Sequence, residues 1–151
     1  MSSAFAAFEG KWLSRLNIGA NTRFVHGSMP EGGGLYFAIA DGFVSASGFS
    51  PIGFNWELLD TSGDPSAVRS AHGEVVKALS NRISDYGRSW LAQDEAVQCA
   101  SDFFGLFDPA DLTVVSNRYD GLWNPISGAA IEWGFIAFDD SNIALLLIAD
   151  S

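Results

Sequence analysis

Ile131-Glu-Trp-Gly-Phe-Ile-Ala-Phe138, then Asp139-Asp140-Ser141-Asn142, then Ile143-Ala-Leu-Leu-Leu-Ile-Ala149 form two apolar runs around a short acidic turn near the end of the chain. The second run has no polar residue at either alternate position. A strand that is apolar on both faces has to be covered on both sides or lie deep in a sheet. The pair is therefore predicted as a hairpin at the centre of the core. Asp139 and Asp140 sit where aspartate is ordinary turn chemistry.

Immediately upstream, Leu112 to Val115 reads as a further strand and Asn117 to Gly128 as a long loop. Loops of this length without structure of their own tend to carry function. This one holds Arg118, Tyr119, Asp120, Leu122, Trp123 and Ile126. Exposed aromatic and arginine side chains are the usual anchors of a protein interface. A structural alternative stands beside that reading, in which Trp123 folds back to plug the end of the sheet. The candidate partner-binding residues are Arg118, Tyr119, Asp120 and Trp123 in the loop, with Asp139 and Asp140 in the turn. Loop and turn should lie at opposite ends of Ile131 to Phe138, so a compact interface uses one of them, and the aromatic loop is favoured.

Further toward the N-terminus, Phe5, Phe8, Trp12 and Leu16 recur at helical spacing and predict a helix over Ser3 to Leu16. A short strand is expected at Arg23 to His26, followed by a glycine-rich loop from Gly27 to Gly34. Leu35 to Ala40 and Phe43 to Ser47 flank Asp41-Gly42, the preferred sequence of a type I′ turn, and predict a hairpin. Phe54 to Leu59 adds a strand to make an antiparallel meander, with Phe54, Trp56 and Leu58 on one face. Asp64-Pro65 resembles a helix start. Val68, Ala71, Val75, Leu79, Ile83 and Tyr86 would mark the buried stripe of that helix, and Asp94 to Phe104 forms the next. The order helix, three strands, two helices, three strands predicts one α+β domain over residues 1–151. It has a mainly antiparallel sheet of about five to six strands with helices packed on one face.

Composition bounds the function. The chain carries 18 Asp plus Glu against 8 Lys plus Arg, a net charge of −10, which repels nucleic acid and anionic membranes and suits basic partners. Cys99 is the only cysteine, so no internal disulfide forms and a reducing compartment is expected. Met1 to Glu9 lacks the basic start of a signal peptide, and the run Ile143 to Ala149 is far short of the ~20 residues of a membrane helix. A cytoplasmic protein without a membrane segment is the expectation.

No catalytic residue, metal ligand or cofactor is predicted. His26 and His72 are the only histidines; His72 falls on or beside a helix stripe, and His26 has no second ligand at metal-binding spacing. Cys99 lies mid-helix among Asp94, Glu95 and Asp102, opposite to the surroundings that activate a thiol. Gly32-Gly33-Gly34 leads into an expected strand rather than the helix N-terminus that a phosphate cradle needs. Asp94-Glu95 open a helix, where acids favour the dipole.

At the final hairpin, and in the passage from Asp94–Phe104 through Asp108-Pro109 to Leu112, the chain resembles small bacterial immunity proteins of interbacterial toxin systems. Several of these end in an apolar strand, a short acidic turn, a second apolar strand and terminal acids. Many end in a run of acids, whereas here Asp150 alone precedes Ser151. The resemblance implies a non-enzymatic cytoplasmic inhibitor that binds one cognate toxin domain. The partner would be a protein, a basic domain onto which an acidic chain can be steered. The alternative is a small α+β enzyme or small-molecule-binding protein with an aromatic-lined pocket, using His72, Glu74 or Asp120 as polar groups. An acidic mimic of nucleic acid is a third reading, for which a charge of −10 over 151 residues is modest.

Overall fold

The computed structural model describes residues 3–18, 20–30, 34–62, 64, 66–82, 85–119 and 122–150, without the side chains of residues 3, 82, 85–89, 122 and 150. Helix α1 (Ser3–Leu16) is followed by β1 (Asn21–Ser28), α2 (Tyr36–Ala46), a 3₁₀ turn (Gly53–Asn55) and β2 (Glu57–Leu58). Then come α3 (Ala71–Ser80), β3 (Asn81–Arg82), β4 (Asp85–Ser89), α4 (Gln93–Phe104) and β5 (Thr113–Ser116). The short strands β6 (Arg118–Tyr119) and β7 (Leu122–Trp123) precede β8 (Ile131–Phe138) and β9 (Asn142–Asp150). The main sheet is antiparallel, in the order β1-β9-β8-β5-β2, which gives the expected α+β class.

β8 and β9 pair along their whole length, from Ile131 with Asp150 to Phe138 with Ile143. The two-sided apolarity of β9 has the predicted consequence. Ala144, Leu146 and Ile148 join Trp133 and Phe135 in a core closed by α1, α3 and α4. Ile143, Leu145 and Leu147 join Ile136 and Phe138 in a second core on the opposite face, closed by α2 and the segment through Trp56, so helices cover both faces of the sheet and not one as expected. Ala144 and all the leucines and isoleucines of the strand from Ile143 to Ile148 are fully buried. Each such leucine or isoleucine side chain contributes about 1.5–3 kcal/mol.

α1 and α4 form as their spacing predicts. Phe5, Phe8, Trp12 and Leu16 are all buried. Asp102 of α4 ties the two helices together, accepting from Trp12 Nε1 at 2.8 Å and Lys11 Nζ at 2.9 Å. At the start of α4 the Glu95 carboxylate accepts from the Ala92 N–H, 3.4 Å away.

The Asp41-Gly42 hairpin does not form; those residues lie inside α2. Tyr36, Ile39, Ala40, Phe43 and Val44 fall three and four apart and face the second core. The Asp41 carboxylate takes the place of a turn residue for a different segment. It accepts from the Ile52 N–H at 2.8 Å, the Gly53 N–H at 2.9 Å and Trp56 Nε1 at 2.8 Å. The meander therefore reduces to β2, and the face assigned to Phe54 to Leu59 changes. Trp56 is buried, whereas Phe54 is 82% exposed, with its ring 4.8 Å from that of Phe37.

The second expected helix is shorter than its apolar spacing suggested. Ser70 caps it, its Oγ accepting from the Gly73 N–H at 3.0 Å. Asp64 instead binds the Ser66 N–H and hydroxyl in a local turn. Val68 stands 81% exposed ahead of the helix. Beyond Ser80 the chain turns back as β3 and β4, so Tyr86 belongs to a strand. Pro65, Ile83, Gly32 and Gly33 lie outside the described residues.

Candidate partner-binding surface

The loop that sequence reading singled out has structure of its own. Arg118 pairs with Trp123 and Tyr119 with Leu122 in a small hairpin beyond β5. After it, the chain is held by Glu132, a fully buried carboxylate at the start of β8. Its Oε2 accepts from the Ile126 N–H and from Asn117 Nδ2, each at 2.9 Å. Its Oε1 accepts from the Ser127 N–H at 3.0 Å and from Ser127 Oγ at 2.7 Å. Asn117 completes the network: its Oδ1 accepts from the Gly134 N–H at 2.8 Å, and its Nδ2 also donates to Asn124 O at 3.0 Å. Buried charge is tolerated when every lone pair is used in this way. Ile126, not Trp123, is the residue that plugs the second core.

The candidate residues separate on this scaffold. Arg118 is buried, its guanidinium 4.7 Å from the Trp133 ring, so it stiffens the base of the hairpin. Tyr119 and Trp123 are half-buried and remain at the surface. Asp120 lies outside the described residues. Tyr119 faces the segment before α3. The Arg69 guanidinium sits 4.4 Å from its ring, and Arg69 is ion-paired with Glu57 of β2. Beside them is a surface cleft of about 300 Å³ lined by Val68, Arg69, Ser70, Glu74, Lys77 and Tyr119. Glu74, nearly buried, pairs with Lys77 Nζ at 3.1 Å.

Arg69 has φ = 60°, the left-handed region, and is the only non-glycine residue there among those described. Two main-chain bonds hold it: Asp60 N–H to Arg69 O at 2.6 Å and Ala71 N–H to Asp60 O at 2.8 Å. Such a backbone costs about 1–2 kcal/mol, and a solvent-exposed ion pair returns ~1 kcal/mol at most. The arrangement therefore adds little to stability, yet it presents an arginine over an aromatic ring beside an exposed valine. Arg69 was missed, and Val68 was placed in the buried stripe, because the helix cap was read at Asp64 instead of Ser70. Taking Ser70 as the cap leaves Val68 and Arg69 as loop residues.

The acidic turn forms the other end of β8, about 23 Å away for seven residue steps along a strand. Asp139 is buried and internal: its Oδ1 accepts from the Ser141 and Asn142 N–H groups, and its Oδ2 from the Asp108 N–H at 2.8 Å. Burial works to raise its pKa, but these main-chain donors outweigh it and the pKa is lowered. Asp140 is exposed. Asp111 beside it has a raised pKa, chiefly through repulsion by Asp140, with Asp108 adding to it. None of the ion pairs among the described residues involves this cluster.

Of the polar groups of the enzyme reading, His72 and Glu74 both lie on α3, Glu74 in the cleft beside Tyr119, and Asp120 lies outside the described residues. The His72 ring packs 4.6 Å from Phe104, and burial lowers its pKa. His26 stacks on Phe5 at 5.1 Å. Cys99 is fully buried in α4, and burial pushes its thiol up to about 12. A larger depression, about 550 Å³, lies between β1 and the turn at Ser127 to Ala129, with Arg23 as the ionisable residue of its lining. Among the described residues no group of His, Cys, Asp and Glu is placed to hold a metal ion, and no helix is long and apolar enough to cross a membrane. No protein-family model, curated protein or solved structure matches the chain.

Proposed function

We propose that the protein is an acidic binding module that engages a protein partner through the face formed by Tyr119, Arg69 and Val68. In this reading it is a cytoplasmic immunity-type inhibitor that covers a basic toxin domain. The observation that carries the proposal is the left-handed Arg69 held over Tyr119. It is a conformation that costs stability and displays two of the side-chain types enriched at binding hot spots. The ion pairs Arg69–Glu57 and Lys77–Glu74 make the face locally balanced, so a partner can exchange salt bridges there without meeting an unpaired charge. Attraction at long range comes from the net charge of −10, with the exposed Asp111 and Asp140 at the far end of the sheet contributing to it.

Co-expression with a toxin domain encoded beside this gene tests the proposal. A complex that survives purification and restores growth is expected. Neither complex nor rescue would remove the inhibitor reading.

A further inference from the structure

β1 is a free edge of the main sheet, opposite β2. Its odd-numbered residues face β9; Met29 N–H donates to Ser141 O at 2.9 Å, continuing that ladder. Its even-numbered residues therefore turn their main chain outward. Thr22 is closed off, since Asn17 Oδ1 accepts from its N–H at 2.8 Å and Asn17 Nδ2 donates to its carbonyl at 3.3 Å. The outward main-chain groups of Phe24, His26 and Ser28 have no partner among the described residues. Between Phe24 and Ser28 the strand has none of the lysine, proline or bulge that usually protects an edge.

We infer that β1 pairs antiparallel with β1 of a second copy of this chain, about a two-fold axis through His26. In that register His26 opposes His26, and Phe24 opposes Ser28, so every open group of each edge meets one of the other in about six main-chain hydrogen bonds. The next pair outward is Thr22 with Pro30. Asn17 already occupies the Thr22 groups, and Pro30 has no N–H, so the open stretch ends symmetrically about His26. Charge at this edge does not oppose a second copy despite the strong overall acidity: no Asp or Glu occurs between Glu9 and Glu31, and Lys11 and Arg15 are ion-paired with Asp102 and Glu95. The side of α1 that carries Asn17 also carries Ala6 and Gly10, both exposed and small, which leaves room for a neighbouring helix at the edge. This edge is separate from the Tyr119 face, which lies at the β5–β2 side of the sheet.

Sedimentation of the full chain tests the inference. The wild type is expected as a dimer of 16.2 kDa chains. Ser28→Pro removes an outward N–H from each copy and should weaken dimerisation about tenfold or more. His26→Cys should cross-link to a covalent dimer under mild oxidation, because opposed Cα atoms of a hydrogen-bonded pair lie ~5.5 Å apart, within disulfide range. Ser28→Cys alone should not, since Ser28 meets Phe24. A monomer at every soluble concentration would overturn the proposal, including one whose edge is instead taken by a partner's strand. So would a dimer that ignores Ser28→Pro and cross-links equally through residues 26 and 28. If Ser28→Pro does not fold, the two cysteine variants decide the register.

Discussion

The guanidinium of Arg69 lies 4.4 Å from the ring of Tyr119, joining the segment before α3 to the hairpin beyond β5. The contact brings together two stretches of chain that share no local pattern. Both side chains line a cleft that also includes the buried Glu74.

Replacing Arg69 separates its structural and binding roles. Arg69→Ala keeps the left-handed backbone and loses the contacts, whereas Arg69→Gly relieves the backbone as well. Urea denaturation should find the glycine variant more stable than the alanine variant by about 1 kcal/mol. Both should weaken partner binding at least about tenfold, as loss of a hot-spot side chain does.

Glu132 is the anchor of the segment between β7 and β8. Glu132→Gln turns an amide N–H₂ toward main-chain donors and removes a charge that four hydrogen bonds compensate. Denaturant unfolding should show a loss of about 2–3 kcal/mol. Hydrogen exchange should rise first at Ile126 and Ser127, whose N–H groups it accepts.

The acidic end responds to pH in two opposite senses. The folded pKa of Asp139 is lowered, so its stabilising effect is present above the ordinary carboxyl value of 3.8 and is lost as pH falls through the folded value. Asp111 is raised, so its ionisation destabilises the fold at neutral pH and that penalty disappears on acidification below 3.8. Thermal melts should therefore show Asp111→Asn more stable than wild type at pH 7, with the gap closing toward pH 4. Asp139→Asn should be less stable at pH 7.

Cys99 offers a probe of opening. With its thiol fully buried and its pKa pushed up to about 12, it should resist a water-soluble thiol reagent at pH 8 in the folded protein. It should react at the ordinary rate in denaturant. Rapid labelling under native conditions would show that α4 leaves the sheet far more readily than this packing allows.

Where one segment contains its own reason, the sequence was legible. β9 is apolar at every position from Ile143 to Ala149, and no register of such a strand escapes burial on both faces. The stripes of α1 and α4 are equally self-contained. Asp41-Gly42 was misleading because turn preference and helical period coexist there. The deciding contacts, from Asp41 to the Ile52 and Gly53 N–H groups and to Trp56, come from residues ten or more positions away. The same holds at the candidate surface. Tyr119 is half-buried at the surface, whereas the burial of Arg118 against Trp133 depends on β8. The role of Asp139 depends on the Asp108 N–H, and nothing local marks Arg69 as left-handed.

Binding and neutralisation of a partner by the Tyr119 face can be read most directly from a growth-rescue assay with the neighbouring toxin domain. Wild type and Asp140→Asn should restore growth to similar levels, whereas Tyr119→Ala, folded to the same extent by circular dichroism, should fail. Full rescue by Tyr119→Ala, or none by the wild type, would contradict that role.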